Sequence, residues 1–198
     1  MCLLFESIQI NEGRVLRLEY HQQRVDRARF DLLGLKDPLS LQEIINDIDL
    51  PATGRWKLRI PYEKEAGKTE CFLYQPKSVS RLCCVETGNF NYQHKFSDRS
   101  FFERLICKHP GFDELILTRE GEVTDTTYTN LAFFDGGDWF TPDRPLLKGT
   151  RRQHLLETGF LKVRRIMKND IPAFSHVSLI NAMLDIGEIS LPIHCISQ

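Results

Sequence analysis

No two of the six cysteines stand at the Cys-x-x-Cys spacing of a zinc site, and the six histidines show no ligand spacing. No metal is therefore assigned. No apolar run approaches the roughly 20 residues that cross a bilayer. The opening Met1–Glu6 lacks the charged-then-apolar pattern of a secretory leader, so a cytoplasmic location is expected. A dominant charge is missing too. Against 26 basic residues stand 27 acidic ones, with no basic block or aromatic-basic stripe. That balance argues against nucleic acid or a membrane surface as the main partner. Repeats, low-complexity stretches and long linkers are also lacking. What remains is a chain of 198 residues, long enough to bury a core without covalent staples. Cys71, Cys83 and Cys84 fall in apolar strand-like runs and read as small, reduced core residues.

The patterning alternates between two periods. Residues 3–10 read as a strand, Asn11–Gly13 as a hairpin turn and Arg14–Leu18 as its partner. Glu19–Leu33 reads as a helix with Val25, Ala28, Leu32 and Leu33 along one side, stopped by Gly34. Ser40 followed by Glu43 has the form of a capping box that opens a second helix. Strands are expected at 55–62, 69–75 and 79–87, with Gly67 in the first turn, and Gly88–Asn91 reads as a linker. Beyond it come a helix over Asp98–Lys108 and strands at 113–118, 122–126 and 130–134. After the Gly136-Gly137 turn a short strand spans Asp138–Thr141, and a helix runs from Gly149 to Thr158. Strands near 162–167 and 176–181 complete the set. Hairpin-joined strands with a few helices give an α+β chain, expected as two domains over 1–87 and 92–198.

Three segments carry chemistry. Asp125 lies on a strand in Gly121–Phe134, Gly149-Thr150-Arg151-Arg152 opens a helix, and Lys95 sits upstream in Tyr92–Arg99. An amine attacks a carbonyl only when neutral, which a lysine achieves by desolvation or cationic neighbours. Unpaired amides and the helix dipole make the start of a helix favourable for a phosphate. Amine, acid and phosphate cradle are the parts a protein needs to use pyridoxal phosphate. Each part has a plainer alternative: a solvated loop lysine, a turn-adjacent aspartate, an ordinary helix N-cap.

Together the segments resemble the class IV aminotransferase family, from about Phe5 to Asn181. The family pattern Glu-Gly-x-Val-x-Glu-x-x-x-x-Asn-Leu/Ile-Phe is matched from Glu120 to Leu131, with Asp125 in place of glutamate and Asn130 kept. Lys95-Phe-Ser-Asp-Arg99 looks like the Lys-x-x-Asn-Arg of 4-amino-4-deoxychorismate lyases, and Asn181-Ala182-Met183 like their Asn-Ala-Leu. His21-Gln-Gln-Arg24 resembles the family's His-x-x-Arg. The resemblance implies fold type IV, two lobes with pyridoxal 5'-phosphate between them, and a homodimer. It makes Lys95 the Schiff-base lysine and Asp125 the partner of the pyridine nitrogen. The phosphate would be held by Arg24, Gly149, Thr150, Arg151, Asn181 and Ala182. A guanidinium suits that anion because its donors form a rigid fork. Arg24 could instead belong to a solvated charged face with Arg27 and Arg29, and Asn181 could be a strand-end turn residue. Arg59 could meet a substrate carboxylate or pair with an acid, and the hydroxyl of Ser7 could pass a proton.

Family members divide into branched-chain transaminases, D-amino-acid transaminases and lyases that form 4-aminobenzoate, a folate precursor, and pyruvate. Lys95 does not choose among them, because a proton-shuttling lysine serves all. Lys-x-x-Asp-Arg99 and Asn181-Ala-Met lean towards the lyase acting on a small amino substrate. Transamination is the alternative, and a non-catalytic cofactor-binding protein is the third possibility.

Overall fold

The computed structural model describes residues 3–198 and divides them into two compact units. The first runs to Gln75 and takes back His94–Asp98; the second comprises Pro76–Gln93 and Arg99–Gln198. The chain crosses over after Gln75, ahead of the linker expected at Gly88–Asn91, and that linker lies inside the second unit.

In the first unit β1 (Leu4–Asn11) pairs antiparallel with β2 (Arg14–Val15) and β3 (Arg55–Tyr62), and β3 with β4 (Glu70–Leu73). The β1–β2 hairpin turns on Glu12 and Gly13, both in the left-handed region at φ 49° and 74°, which suits the twist of a two-residue hairpin. Period-two alternation sends Leu4, Ile8 and Ile10 to one face with Leu58, Ile60 and Tyr62, all fully buried. Helix α1 (Leu18–Leu33) covers that face through Val25 and Ala28, and α2 (Leu41–Asn46) adds Leu41 and Ile45. Burying each such aliphatic side chain stabilises the unit by roughly 1.5–3 kcal/mol. Half of the expected capping box is present, since the Ser40 hydroxyl accepts from the Glu43 amide at 3.2 Å.

Two expectations change here. The return strand stops at Val15 because Arg17 turns left-handed at φ 57° and starts α1 at Leu18. Leu32 is exposed, and the buried side of α1 carries Tyr20, His21 and Arg29 beside Val25 and Ala28. Polar residues therefore occupy positions that a hydrophobic pattern leaves blank.

The second unit holds two sheets. One has the order β13 (Ile196–Ser197), β5 (Leu82–Glu86), β6 (Glu114–Arg119), β7 (Glu122–Thr126). The other has the order β10 (Leu161–Arg164), β9 (Trp139–Pro142), β8 (Asn130–Phe134), β11 (His176–Ile180), β12 (Ser190–Pro192). Helix α3 (Ser100–Lys108) begins just after the Lys95 segment, and α4 (Thr150–Glu157) packs Leu155 on Ala132, Leu161 and Ile180. The strand expected at 162–167 is shorter and is followed by a 3-10 turn, Lys168–Ala173. Cys71, Cys83 and Cys84 are free thiols and only half-buried, at the margins of packing and not at its centre.

Candidate active site

Asp125 is the most constrained of the expected site residues. It stands on β7, all five residues of which are buried. The turn Thr127–Thr129 joins β7 to β8 and is closed by hydroxyls: Thr126 Oγ1 meets Thr129 Oγ1 at 2.8 Å and accepts from the Thr129 amide at 3.0 Å. Such side-chain-to-backbone bonds are what threonines offer a tight turn. They leave the side chains of Asp125 and Asn130 meeting across the turn where the chain passes from one sheet to the other.

The Asp125 carboxylate accepts from Asn130 Nδ2 at 2.7 Å on one oxygen and from the Leu147 amide at 2.8 Å on the other. The same Asn130 nitrogen also donates to the Leu147 carbonyl at 2.8 Å. The three residues form a closed ring, and Asn130 is thereby a residue that aims the carboxylate. Burial pushes the Asp125 carboxyl up to about 7, although the Leu147 amide, Asn130 and the charge of Arg152 all pull the other way. Desolvation wins. A carboxylate with so little solvation is stabilised by any cation brought beside it.

Gly149 lies at the end of this ring and caps α4. A Cβ built on it would fall 2.0 Å from Asn130 Oδ1, so only glycine fits. The helix start has no side-chain cap and no acidic residue in its first turn, which reads Thr150-Arg151-Arg152. Those features favour an anion there. Arg152 points inward, donating to Thr141 Oγ1 at 3.2 Å and to the Pro142 carbonyl at 2.8 Å. Arg151 pairs with Asp185. Asn181 accepts from the Met183 amide at 2.8 Å and donates to the Tyr128 carbonyl at 3.4 Å. It thus fastens the tight Asn181–Leu184 turn, which contains Ala182, to the turn between Asp125 and Asn130.

The first unit carries Lys95, Ser7, Arg24 and Arg59. Lys95 lies on a strip that runs antiparallel to the start of β1. Its carbonyl accepts from the Phe5 amide at 3.1 Å, and the Ser97 amide donates to Leu3 at 2.9 Å. Lys95 Nζ sits 4.6 Å from the centre of the Phe5 ring, and the Arg59 guanidinium sits 4.9 Å from the same ring. An aromatic ring shared by two cations holds both side chains at the sheet face opposite the core. Ser7 is on that face, in register with Arg59. Arg59 also meets Glu70 at 3.5 Å. His94, the neighbour of Lys95 in sequence, turns instead to Asp31 at 3.6 Å.

Arg24 grips Glu6 bidentately, Nε to Oε1 at 2.8 Å and Nη2 to Oε2 at 2.5 Å. His21 Nδ1 lies 2.6 Å from Oε2 of the same carboxylate. Burial alone would raise the Glu6 carboxyl, but Arg24 and His21 together outweigh it and hold the group at about 2. Burial also drives the His21 ring below its ordinary value, so His21 is neutral and donates to an ionised Glu6. Sequence reading passed over Glu6 and gave no role to His21 and Arg152, although both stand in its motifs. The signal for Glu6 was available: an acid at a core-facing position of a strand whose neighbours on that face are all aliphatic. Arg29, expected on a solvated face, is buried and bound to Asp37 and to the carbonyls of Glu63 and Lys64.

Solved structures show that this arrangement is a known fold. The chain superposes on a structure from Haemophilus somnus 129pt, described as a putative 4-amino-4-deoxychorismate lyase, with a TM-score of 0.86 and 34% identity. The match covers 92% of this chain and 97% of that one, so the fold is the α+β fold of the class IV pyridoxal-phosphate enzymes. The family model for amino-transferase class IV matches residues 74–191, and the chain belongs to that family. It is thus a pyridoxal-phosphate-dependent enzyme. A Haemophilus influenzae protein named only as uncharacterized is 34% identical over 183 residues, covering 91% of this chain and 97% of its own length. A Schizosaccharomyces pombe protein that carries a lyase name of the same kind is 28% identical over 180 residues, 79% of this chain and 74% of that one.

The residues present fit the cofactor. A buried carboxylate with a raised pKa suits a cationic ring nitrogen. A helix start that admits no side chain at Gly149 and carries no acid suits a phosphate.

Proposed function

We propose that this enzyme is a lyase that splits 4-amino-4-deoxychorismate into 4-aminobenzoate and pyruvate. The observation that carries the assignment of chemistry is the ring formed by Asp125, Asn130 and Leu147, a buried carboxylate held by two donors, one of which is a side chain tied in turn to the Leu147 carbonyl. The Asn181-Ala182-Met183 turn and Lys95-Phe-Ser-Asp-Arg99 favour the lyase, as do the names of the relatives.

Bound pyridoxal phosphate supplies an aldehyde that condenses with an amine and a ring that takes up the electron pair left when a substrate bond breaks. Lys95 would provide the amine and take the proton lost from the substrate carbon, and the departing three-carbon group would gain a proton on its methylene carbon to leave as pyruvate. Asp125 holds the proton on the ring nitrogen, and Asn130 keeps Asp125 in place. Thr150, the first-turn amides of α4, Arg151, Asn181, Ala182 and Arg24 hold the phosphate. Arg59 meets a substrate carboxylate, and the Ser7 hydroxyl relays a proton.

The test is direct. Purified enzyme with its cofactor is given 4-amino-4-deoxychorismate, 4-aminobenzoate is read by fluorescence and pyruvate by a coupled dehydrogenase. Equal amounts of both products are expected, and Lys95→Ala abolishes them. Cofactor-loaded enzyme that forms neither product rules the lyase out. Transamination is the second reading, supported by the family to which the chain belongs, and it is assayed with amino acids and a 2-oxo acid acceptor. A protein inert in both assays, yet coloured by its cofactor, has kept binding without catalysis. Assembly as a homodimer in the cytoplasm, within folate biosynthesis, belongs to the same reading; light scattering checks the dimer.

A further inference from the structure

Glu6 sits where packing calls for an aliphatic residue. Its neighbours on the inner face of β1, namely Leu4, Ile8 and Ile10, are fully buried, and so is Glu6. A buried carboxylate costs several kcal/mol of desolvation, and a well-packed apolar residue in its place is often neutral or stabilising. Here Arg24 and His21 offset that cost, so what fixes Glu6 on this face is the pair it binds. Both of its oxygens are taken by Arg24 Nε and Nη2, and His21 Nδ1 comes to the oxygen that Nη2 also uses. A guanidinium is a planar fork of five donors. Fixing its Nε/Nη2 edge fixes the plane of the rest, and the rotamer freedom an exposed arginine would lose on meeting a ligand is removed in advance.

We propose that Glu6, braced by His21, is a positioning residue that sets the guanidinium of Arg24 for the phosphate of the cofactor. The inference rests on the role given to Arg24 above. Without Glu6 the guanidinium still carries its charge but samples several orientations, and the phosphate loses its preformed partner. The effect falls on recognition of the phosphate and leaves recognition of the ring unchanged.

Cofactor-free enzyme is titrated with pyridoxal phosphate and, separately, with pyridoxal, which lacks the phosphate. The ratio of the pyridoxal dissociation constant to that of pyridoxal phosphate isolates the phosphate contribution. Glu6→Gln and Arg24→Gln are each expected to reduce that ratio by about tenfold, the scale of one lost charge-assisted hydrogen bond, with pyridoxal binding unchanged. His21→Gln, which leaves the Glu6–Arg24 pair intact, reduces it less and serves as the reporter if Glu6→Gln does not fold. Urea unfolding of each variant is measured beside the titrations. If Glu6→Gln lowers the unfolding midpoint but keeps the wild-type ratio, while Arg24→Gln lowers the ratio, the network only fastens α1 to β1 and the positioning role is wrong. If Arg24→Gln also keeps the wild-type ratio, the assignment of Arg24 to the phosphate fails, and this inference fails with it.

Discussion

A Cβ on residue 149 would lie 2.0 Å from the Oδ1 of Asn130, closer than real side chains approach. The backbone that opens α4 and the amide that aims Asp125 are therefore built against each other. Gly149→Ala forces Asn130 aside, and its bonds to Asp125 and to the Leu147 carbonyl go with it. The loss of buried hydrogen bonds and the clash together cost about 2–4 kcal/mol of stability. Because φ at Gly149 is −69°, the alanine meets no backbone strain, and the whole effect is steric. Adding Asn130→Ala to the alanine variant should relieve the clash and return part of the unfolding free energy. A double variant no more stable than Gly149→Ala alone speaks against this account.

Asp125 gives the cofactor-free enzyme an uncommon pH dependence. Its carboxyl is raised from 3.8 to about 7 by burial, so the folded state binds the proton more tightly than the unfolded chain. The contribution to stability is fully present below about pH 3.8 and is lost as pH rises through about 7. Three pH units correspond to about 4 kcal/mol as an upper bound. Cofactor-free wild type should therefore lose unfolding free energy between pH 5 and pH 8 relative to Asp125→Asn, whose stability lacks this slope. Parallel urea series on the two proteins measure it, and equal slopes mean that Asp125 titrates like a surface aspartate.

Much of this site was legible in the sequence, for reasons that differ from residue to residue. Asp125, Asn130 and Gly149 show because their chemistry is local: a hairpin, a tight turn and a helix start, each marked by its own residues within a few positions. Glu6, His21 and Arg29 hide because each meets its partners far along the chain, across the β1–α1 packing or at the β3–β4 connection. The strands Ser190–Pro192 and Ile196–Ser197 hide for the same reason, since two- and three-residue strands exist only through β11 and β5 beside them. The crossing at Gln75 was misplaced because Gly88–Asn91 has the composition of a linker, yet the Arg119 guanidinium holds Phe90 and the ring of Phe90 stacks on Phe101.

Glu6 contributes a dependence on acid to the first unit. Its carboxyl is held at about 2 in the folded state against 4.5 in the unfolded chain. The sign is opposite to that of Asp125: the contribution is present above pH 4.5 and is lost as pH falls through about 2. It amounts to about 3 kcal/mol. Far-ultraviolet dichroism during acid titration should show Glu6→Gln less stable than wild type at pH 6. The gap should narrow as pH falls through 3. A gap that stays constant with pH assigns the loss to packing and not to the charge.

Arg29 divides its contacts among three residues. Its Nε and Nη2 donate to the carbonyls of Glu63 and Lys64 at 3.3 and 2.8 Å, and its guanidinium also reaches Asp37 through both the carbonyl and, at 3.1 Å, the carboxylate. The side chain is 3% exposed, whereas that of Asp37 is 70% exposed. Water screens the ion pair with so open a carboxylate, so the carbonyl bonds carry the stabilisation. Arg29→Met keeps the apolar stem and removes every donor to the Glu63, Lys64 and Asp37 carbonyls, at about 1–3 kcal/mol. Asp37→Ala removes only the carboxylate and should leave the urea midpoint nearly unchanged. Comparable losses in the two variants would show that the ion pair, and not the tie between α1 and the β3–β4 connection, is what Arg29 contributes.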